Sequence, residues 1–368
     1  MAISTIGTNS LSDPIAVNGY TPTASNMQPF NRIINGAMTI DQRNAGASLT
    51  VNSTAGFYAV DRFQARGQSS DGVFTVQQVS DSPAGFEYSL KATVTTDDSS
   101  LTSGQFYYIR YMCEGYDVAD LDWGTSDAKT VTLSFWVRSS LTGTFGGVIP
   151  NVDLDRSYPF TYTISVADTW EYKTITIPGD TTGTWNKTNG IGLRVTFALG
   201  AGSDIIGTAG AWAAANYQGG ATGQTNVIST NGATFYITGV QLEAGSSASS
   251  FAHENYADTL RKCQRYYRKL SNAADPYKSF AIGRADTGNN AGMLVDFIVP
   301  MRAVPTITLT SLFTDDGYAT NGATIGALYL TNEGGGFNVS SSSVGGGRAV
   351  VLRANGSSSA SLQYSAEL

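Results

Sequence analysis

Most enzyme chemistry at neutral pH needs a nucleophile with its base, a pair of carboxylates, or a set of metal ligands, and this sequence is poor in all three. It holds one histidine, His253, and two cysteines, Cys113 and Cys263, far apart in the chain. A lone histidine removes most His-based catalytic and metal constellations. Cysteines without CxxC or Cys/His spacing supply neither a disulfide framework nor a zinc site. Aspartates cluster at Asp97-Asp98, at Asp153 with Asp155, and at Asp315-Asp316, each in a turn-like context where aspartate is simply the favoured residue. Asn151, Asp153 and Asp155 in NVDLDRS offer oxygens that suit calcium, but the spacing is not that of an EF-hand loop and reads as a solvated turn. Phosphate-binding glycine loops and a GxSxG elbow are missing. The expectation is a protein without catalytic residues, bound metal or cofactor.

Binding chemistry is better represented. The segment 200–232 is long, nearly uncharged and rich in Gly and Ala, and it carries Trp212, Asn216, Tyr217 and Gln218. Loops of this length inside compact domains are usually functional or disordered. An aromatic ring beside amide side chains is how proteins grip sugars, the ring stacking on the apolar face while amides bond the hydroxyls. The same residues also suit an anchor, with Trp212 tying the loop to its own domain or to a neighbouring subunit. Trp136, Trp170 and Trp185 read as core or rim packing.

Composition restricts the partners. The chain has 368 residues with a formal net charge of −7, and only 14% of residues are charged against about 25% in an average soluble domain. Acidity argues against nucleic acid as a partner. Arg261, Lys262, Arg265, Arg268 and Lys269 make a local basic run, but it lacks a wider positive field and reads as solvated or acid-paired charge. No apolar stretch approaches the ~18 residues of a membrane helix, so membrane insertion is not expected; the start, MAISTIGTNSLSDP, lacks the basic flank and apolar core of a secretory signal. Sparse surface charge on an apolar, aromatic chain points to surface covered in an assembly.

The elements that must position these residues are strands. In VTLSFWVRS, Val131, Leu133, Phe135 and Val137 alternate with Thr132, Ser134, Trp136 and Arg138, and GLRVTFALG repeats the pattern. Further strands are expected at 72–80, 87–96, 106–113, 171–179 and 233–243, with Gly239 shifting the parity of the last as a bulge does. Half-buried antiparallel strands separated by turn residues at this spacing predict a β-sandwich or jelly roll over 31–245. After the polar hinge GSSASS, positions Tyr256, Leu260, Cys263, Tyr267 and Leu270 follow one another at spacings of 4, 3, 4 and 3. That heptad-like stripe predicts one connecting helix within 246–275, packed either on the β-domain or at a three-fold axis between copies. Residues 276–368 return to β patterning and make a small C-terminal β-domain. SSSSVGGG (340–347) is a loop between two of its strands, and residues 1–30 have no periodicity and read as an arm.

Several stretches, taken together, resemble a family. NRIINGAMTIDQRNAG (31–46) with YAVDRF (58–63) is similar to the opening of a β-sandwich module of bacteriophage tail-fibre and related virion proteins. TVTLSFWVRSSLTGTF (130–145) resembles the central strand of carbohydrate-binding-module-like jelly rolls. FYITGVQLEAGSSASSFAHENYADTLRKCQRYYRK (235–269) looks like the end of the phage module, and MLVDFIVPMRAVPTITLT (293–310) like the piece that often follows it. The resemblance implies a non-enzymatic virion protein, assembled in the host cytoplasm, and specifically a homotrimeric tail fibre or spike that binds a host-surface polysaccharide or receptor. On that reading residues 1–30 attach the chain to another virion protein, and Tyr256, Leu260, Cys263, Tyr267 and Leu270 make the trimer contacts. A capsid decoration protein or head fibre is the alternative, and a glycan depolymerase a second one.

Overall fold

In the computed structural model, described residues run from 31 to 368, except 53–54, 69–70, 273–274, 288, 318–319 and 342–343, with the side chains of 287 and 321 also outside the description. The arm expected over 1–30 therefore lies outside the described residues.

The alternating segments form two stacked six-stranded sheets. In the first, the order is Leu49–Val51, Val73–Val79, Ser89–Thr96, Thr234–Ala244, Val131–Ser139 and Glu171–Ile177. In the second it is Phe57–Val60, Phe63–Gly67, Phe106–Glu114, Ile191–Ala201, Gly143–Pro150 and Ser157–Ile164. Every pairing in both sheets is antiparallel. This is the jelly-roll sandwich expected from the alternation, with one hydrophobic core between the sheets. Phe135 meets Phe197 across the two layers at 5.0 Å between ring centroids, and Phe74 meets Tyr107 at 6.4 Å. Edge-to-face pairs of this kind add to the area they bury and fix the stacking of the sheets. The strand at 234–244 breaks register between Thr238 and Gln241, with Gly239 at φ +61°, so the bulge sits where the sequence placed it.

Residues 31–46 close one end of the sandwich. Asn31 Nδ2 donates to the carbonyl of Val240, and Asn35 Nδ2 donates to the carbonyls of Ile40 and Asp61. A Cβ at Gly36 would fall 2.1 Å from the Val240 oxygen, which explains the glycine in NRIINGAM. Buried Gln241 and Glu243 hold the crossing segment. Ser249 donates through both N and Oγ to Glu243, and Ala252 N donates to Gln241 Oε1.

The connecting segment departs from expectation. The helix spans only Tyr256–Gln264, capped by Asn255, whose side chain accepts from Asp258 N. Tyr267–Ser271 is a strand, paired antiparallel with Ser361–Ser365. The apolar spacing that suggested a helix to Leu270 is interrupted because those residues find backbone partners almost a hundred positions later. The stripe also does not face outward as a unit. Cys263 and Tyr267 are buried by the chain itself, Leu270 packs on the second core, Leu260 is half-buried, and Tyr256 alone is exposed. Cys263, Tyr267 and Leu270 are thus intramolecular contacts rather than trimer contacts.

A second, smaller sandwich follows. Ser361–Ser365 lies between Tyr267–Ser271 and Thr306–Thr310, and this small sheet packs on one of seven strands ordered Thr320–Gly322, Leu312–Asp315, Ala349–Ala354, Ser279–Thr287, Asn290–Asp296, Gly334–Ser340 and Thr324–Leu330. Its inner face holds Met293, Phe337, Val350 and Leu352. Its outer face carries an apolar row: Ile282 stands opposite Val351, Leu294 and Tyr329 both oppose Gly336, and Ile282, Leu294 and Tyr329 are exposed.

The two units meet along a polar seam. Glu114, buried, accepts from Arg265 Nε and Nη2 and from the Tyr266 hydroxyl at 2.6 Å. Arg43 stacks 3.5 Å from the Tyr267 ring centroid and pairs with Glu367 at 2.9 Å. The basic run is absorbed locally. Besides Arg265, Arg261 pairs with Asp258, Lys262 with Glu254, and Arg268 and Lys269 donate to the carbonyls of Asp296 and Arg43.

Candidate functional site

Trp212 does not present its ring as a platform. Its Nε1 donates to the Pro178 carbonyl at 2.7 Å, and it meets Trp123 at 5.2 Å, Trp185 at 5.5 Å and Tyr158 at 5.3 Å, all edge-on or nearly so. Trp123 and Trp185 meet at 4.8 Å and are buried. Trp212 is therefore the anchor that ties its loop to its own domain. Tyr217 lies over Gly207, where a Cβ would fall 2.2 Å from its ring. Asn216 accepts weakly from Gln218 N at 3.4 Å, so the four residues share a loop but do not converge on an open cleft.

The cleft lies on the other side of the alternation. Because Phe135, Val137, Phe235 and Ile237 point into the core, Trp136, Arg138, Tyr236 and Thr238 point out of the first sheet. Register aligns them in rows: Thr238, Trp136 and Tyr172 across three strands, and Lys91, Tyr236 and Arg138 in the next. Trp136 and Tyr172 sit 5.4 Å apart at 48°, with Tyr172 exposed.

Facing them is a second wall from two loops. Phe86, Phe251 and His253 meet one another at 5.0, 5.2 and 4.9 Å. Between the walls runs an open groove of about 570 Å³ with Ser134, Ser249 and Ser250 along it. The bulge glycine makes the approach possible, since a Cβ at Gly239 would lie 2.7 Å from Phe86 and 3.1 Å from Trp136. Beyond the groove the aromatic face continues. Trp170 meets Tyr236 at 6.0 Å, the Arg138 guanidinium lies 5.0 Å from the Tyr236 ring, and Arg138 Nη1 donates to Asp81 at 2.5 Å.

Rings on two sides with hydroxyls between them can stack on apolar faces of a ligand and bond its polar edges. No Asp or Glu lines the groove among the described residues. The alternation that set Trp136 opposite Phe135 was the available signal for this site. The second wall had none, because Phe86 comes from one loop and Phe251 and His253 from another, far along the chain.

The other chemistry considered is accounted for locally. Asn151 is buried, donates to Asp155 Oδ1 at 2.5 Å and accepts from the backbone N–H groups of Asp155 and Arg156, so NVDLDRS closes as a turn on itself. Asp98 accepts from the Tyr107 hydroxyl at 3.0 Å, and Asp315 pairs with Arg353 at 2.6 Å. Both cysteines are free and buried, and burial pushes each thiol above its usual range. Among the described residues no group of three or more His, Cys, Asp or Glu is placed to hold a metal, and no helix is long and apolar enough to cross a membrane.

No protein-family model and no curated protein matches the sequence. Among solved structures, the chain is similar to a CBM4 carbohydrate-binding module (15% identity, TM-score 0.28, covering 57% of this chain and 98% of that one). It is also similar to the CBM22-1 xylan-binding domain of Paenibacillus barcinonensis Xyn10C (11%, TM-score 0.28, 56% and 99%). A third similarity is to the enzymatically active domain of tailspike protein 4 of bacteriophage CBA120 (13%, TM-score 0.29, 58% of this chain), of which it spans only 21%.

Proposed function

We propose that this protein is a non-enzymatic glycan-binding protein whose ligand lies in the groove between Trp136–Tyr172 and Phe86–Phe251–His253. One observation carries the reading: two aromatic walls converge over a glycine bulge and leave a groove with serine hydroxyls and no acid along it. Each stacked ring contributes on the order of 1 kcal/mol, so two or three rings give a weak site that benefits from multivalency. Calorimetric titration with neutral surface polysaccharides tests it. Trp136→Ala and Tyr172→Ala should each weaken binding about tenfold, and wild-type affinity in both variants would end the reading. Release of reducing ends from the same polysaccharides would instead favour a depolymerase.

The virion setting rests on the resemblance of the short stretches within 31–310 described above, and the favoured form is a homotrimeric tail fibre or spike carrying the groove to the host surface. Immunogold labelling at one vertex supports a tail position, and labelling over the whole shell supports the head-fibre or decoration reading. With the helix stripe taken up inside the chain, the exposed row Ile282, Leu294 and Tyr329 is the surface we assign to contact between copies. The charges beside it already pair with each other, Arg284 with Asp286 and Arg353 with Asp315, so identical faces can meet without net repulsion. Light scattering should show a trimer that Leu294→Lys dissociates; a wild-type monomer at micromolar concentration contradicts it.

A further inference from the structure

Behind the second wall of the groove lies a smaller recess. It measures about 70 Å³ and sits between residues 31–39, which close that end of the sandwich, and residues 251–259. Phe251 and His253 line both spaces, and His253 is exposed, so groove and recess meet at its ring. One water-sized group needs about 10–15 Å³ on this measure, which gives the recess room for about five. That is the size of a substituent and not of a sugar ring.

The walls are fixed by bonds that leave few groups over. Asn31 Oδ1 accepts from the backbone N–H groups of Ile33 and Leu242 at 2.9 and 3.1 Å, and the Asn35 side chain is engaged with Ile40 and Asp61. The Thr259 hydroxyl donates to the Asn255 carbonyl at 3.3 Å. On the other side, His253 N donates to the Phe251 carbonyl at 3.0 Å and Ala252 N to Gln241 Oε1 at 2.8 Å. What remains is an apolar side made by Ile33, Ala37 and Phe251, and two polar groups, the Thr39 hydroxyl and the His253 imidazole. Neither of these two makes a hydrogen bond among the described residues. Glu254 adds a carboxylate to the lining and holds Lys262 in an ion pair, so a negatively charged substituent would meet an acid first.

We propose that the recess receives an acetyl group, N- or O-linked to a sugar whose ring stacks in the groove. The inference rests on the groove reading and narrows its ligand to acetylated neutral glycans. A methyl, a carbonyl and one linking atom fill a space of this size. The methyl packs on Ile33, Ala37 and Phe251, and the carbonyl oxygen accepts from the Thr39 hydroxyl or a His253 ring N–H. A bare sugar hydroxyl would leave the apolar side uncovered, and a carboxylate would be opposed by Glu254.

The test is calorimetric titration of the full chain with two matched pairs of probes. Chitotetraose and cellotetraose differ in the N-acetyl group, and O-acetylated glucomannan before and after saponification differs in the O-acetyl group. In at least one pair the acetylated member should bind about tenfold more tightly, as one buried methyl and one hydrogen bond together supply. The pair that responds identifies the linkage. Ala37→Leu, which fills the recess, should bring that ratio close to one. Thr39→Val keeps the shape and loses a hydroxyl without a partner, so it should fold as wild type and lower the ratio several-fold even if Ala37→Leu misfolds. Should no probe bind, or should Trp136→Ala bind them all as wild type does, the groove reading fails and this inference with it. Equal affinity within both pairs, in a protein whose binding Trp136→Ala still weakens, overturns this inference alone, as does a wild-type ratio in both Ala37→Leu and Thr39→Val.

Discussion

The Arg62 guanidinium, wholly buried in the first sandwich, donates at 2.5 Å to the carboxylate of Glu367, 305 positions later in the second. Arg62 also donates to the Met112 carbonyl at 2.6 Å and stacks 3.5 Å from the Tyr266 ring centroid. One cation thus joins the sandwich, the CQRYY stretch and the end of the second unit.

Removing Glu367 alone should leave that guanidinium buried and uncompensated. Glu367→Ala is expected to lower stability by about 3–5 kcal/mol, the usual consequence of breaking a buried pair from one side. Replacing Arg62 with Leu as well should recover part of the loss. Denaturant unfolding of the two single variants and the double closes the cycle, and strictly additive effects would mean that the pair does not couple.

Asp61 gives the seam a pH dependence. Burial pushes its carboxyl up from near 3.8 to about 7, against the opposing pull of Arg43 at 3.5 Å and of the bonds from Gln42. The folded state then holds a proton that the unfolded chain has released, so stability is greatest below about pH 4 with respect to this group and is lost as pH rises toward 7. The slope approaches 1.4 kcal/mol per pH unit at most. Asp61→Asn should flatten melting temperature against pH over that window, and an unchanged slope would assign the effect to other groups.

Trp212→Ala should act on stability and not on ligand. Its ring closes the cluster with Trp123, Trp185 and Tyr158, and losing a tryptophan from such a cluster costs about 3 kcal/mol. Polysaccharide affinity measured well below the variant's melting point should match wild type. Loss of affinity without loss of stability would return the ligand to the 200–232 loop.

Gly239→Ala tests the bulge. A side chain at φ +61° costs about 1–2 kcal/mol, and the new methyl meets Phe86 and Trp136 at once. Both thermal stability and groove affinity should fall, whereas Gly232→Ala, at a positive φ with nothing within 4 Å, should lower stability alone.

The alternation of VTLSFWVRS and GLRVTFALG was enough to define the sandwich, and one parity break located the bulge at Gly239, because a strand with one buried face records that face in its own residues. Half of the candidate site follows from the same record, since whatever opposes Phe135 and Val137 must face outward, and Trp136 does. What stayed hidden depended on partners distant in sequence. Nothing near Tyr267 shows that Ser361–Ser365 will claim it as a strand, so the apolar spacing through Leu270 read as more helix. Trp212 read equally well as platform or anchor until Trp123 and Trp185 were seen beside it.

The strand order of the first sheet also dictates when this protein can fold. Thr234–Ala244 lies between Ser89–Thr96 and Val131–Ser139, so a nascent chain that has emerged only as far as Ile177 carries both neighbours with an empty slot between them and open backbone edges on either side. Until residue 244 leaves the ribosome, neither half can complete its pairing. During that interval the edges that later flank the bulge stand open to wrong partners, such as a neighbouring copy at the same stage.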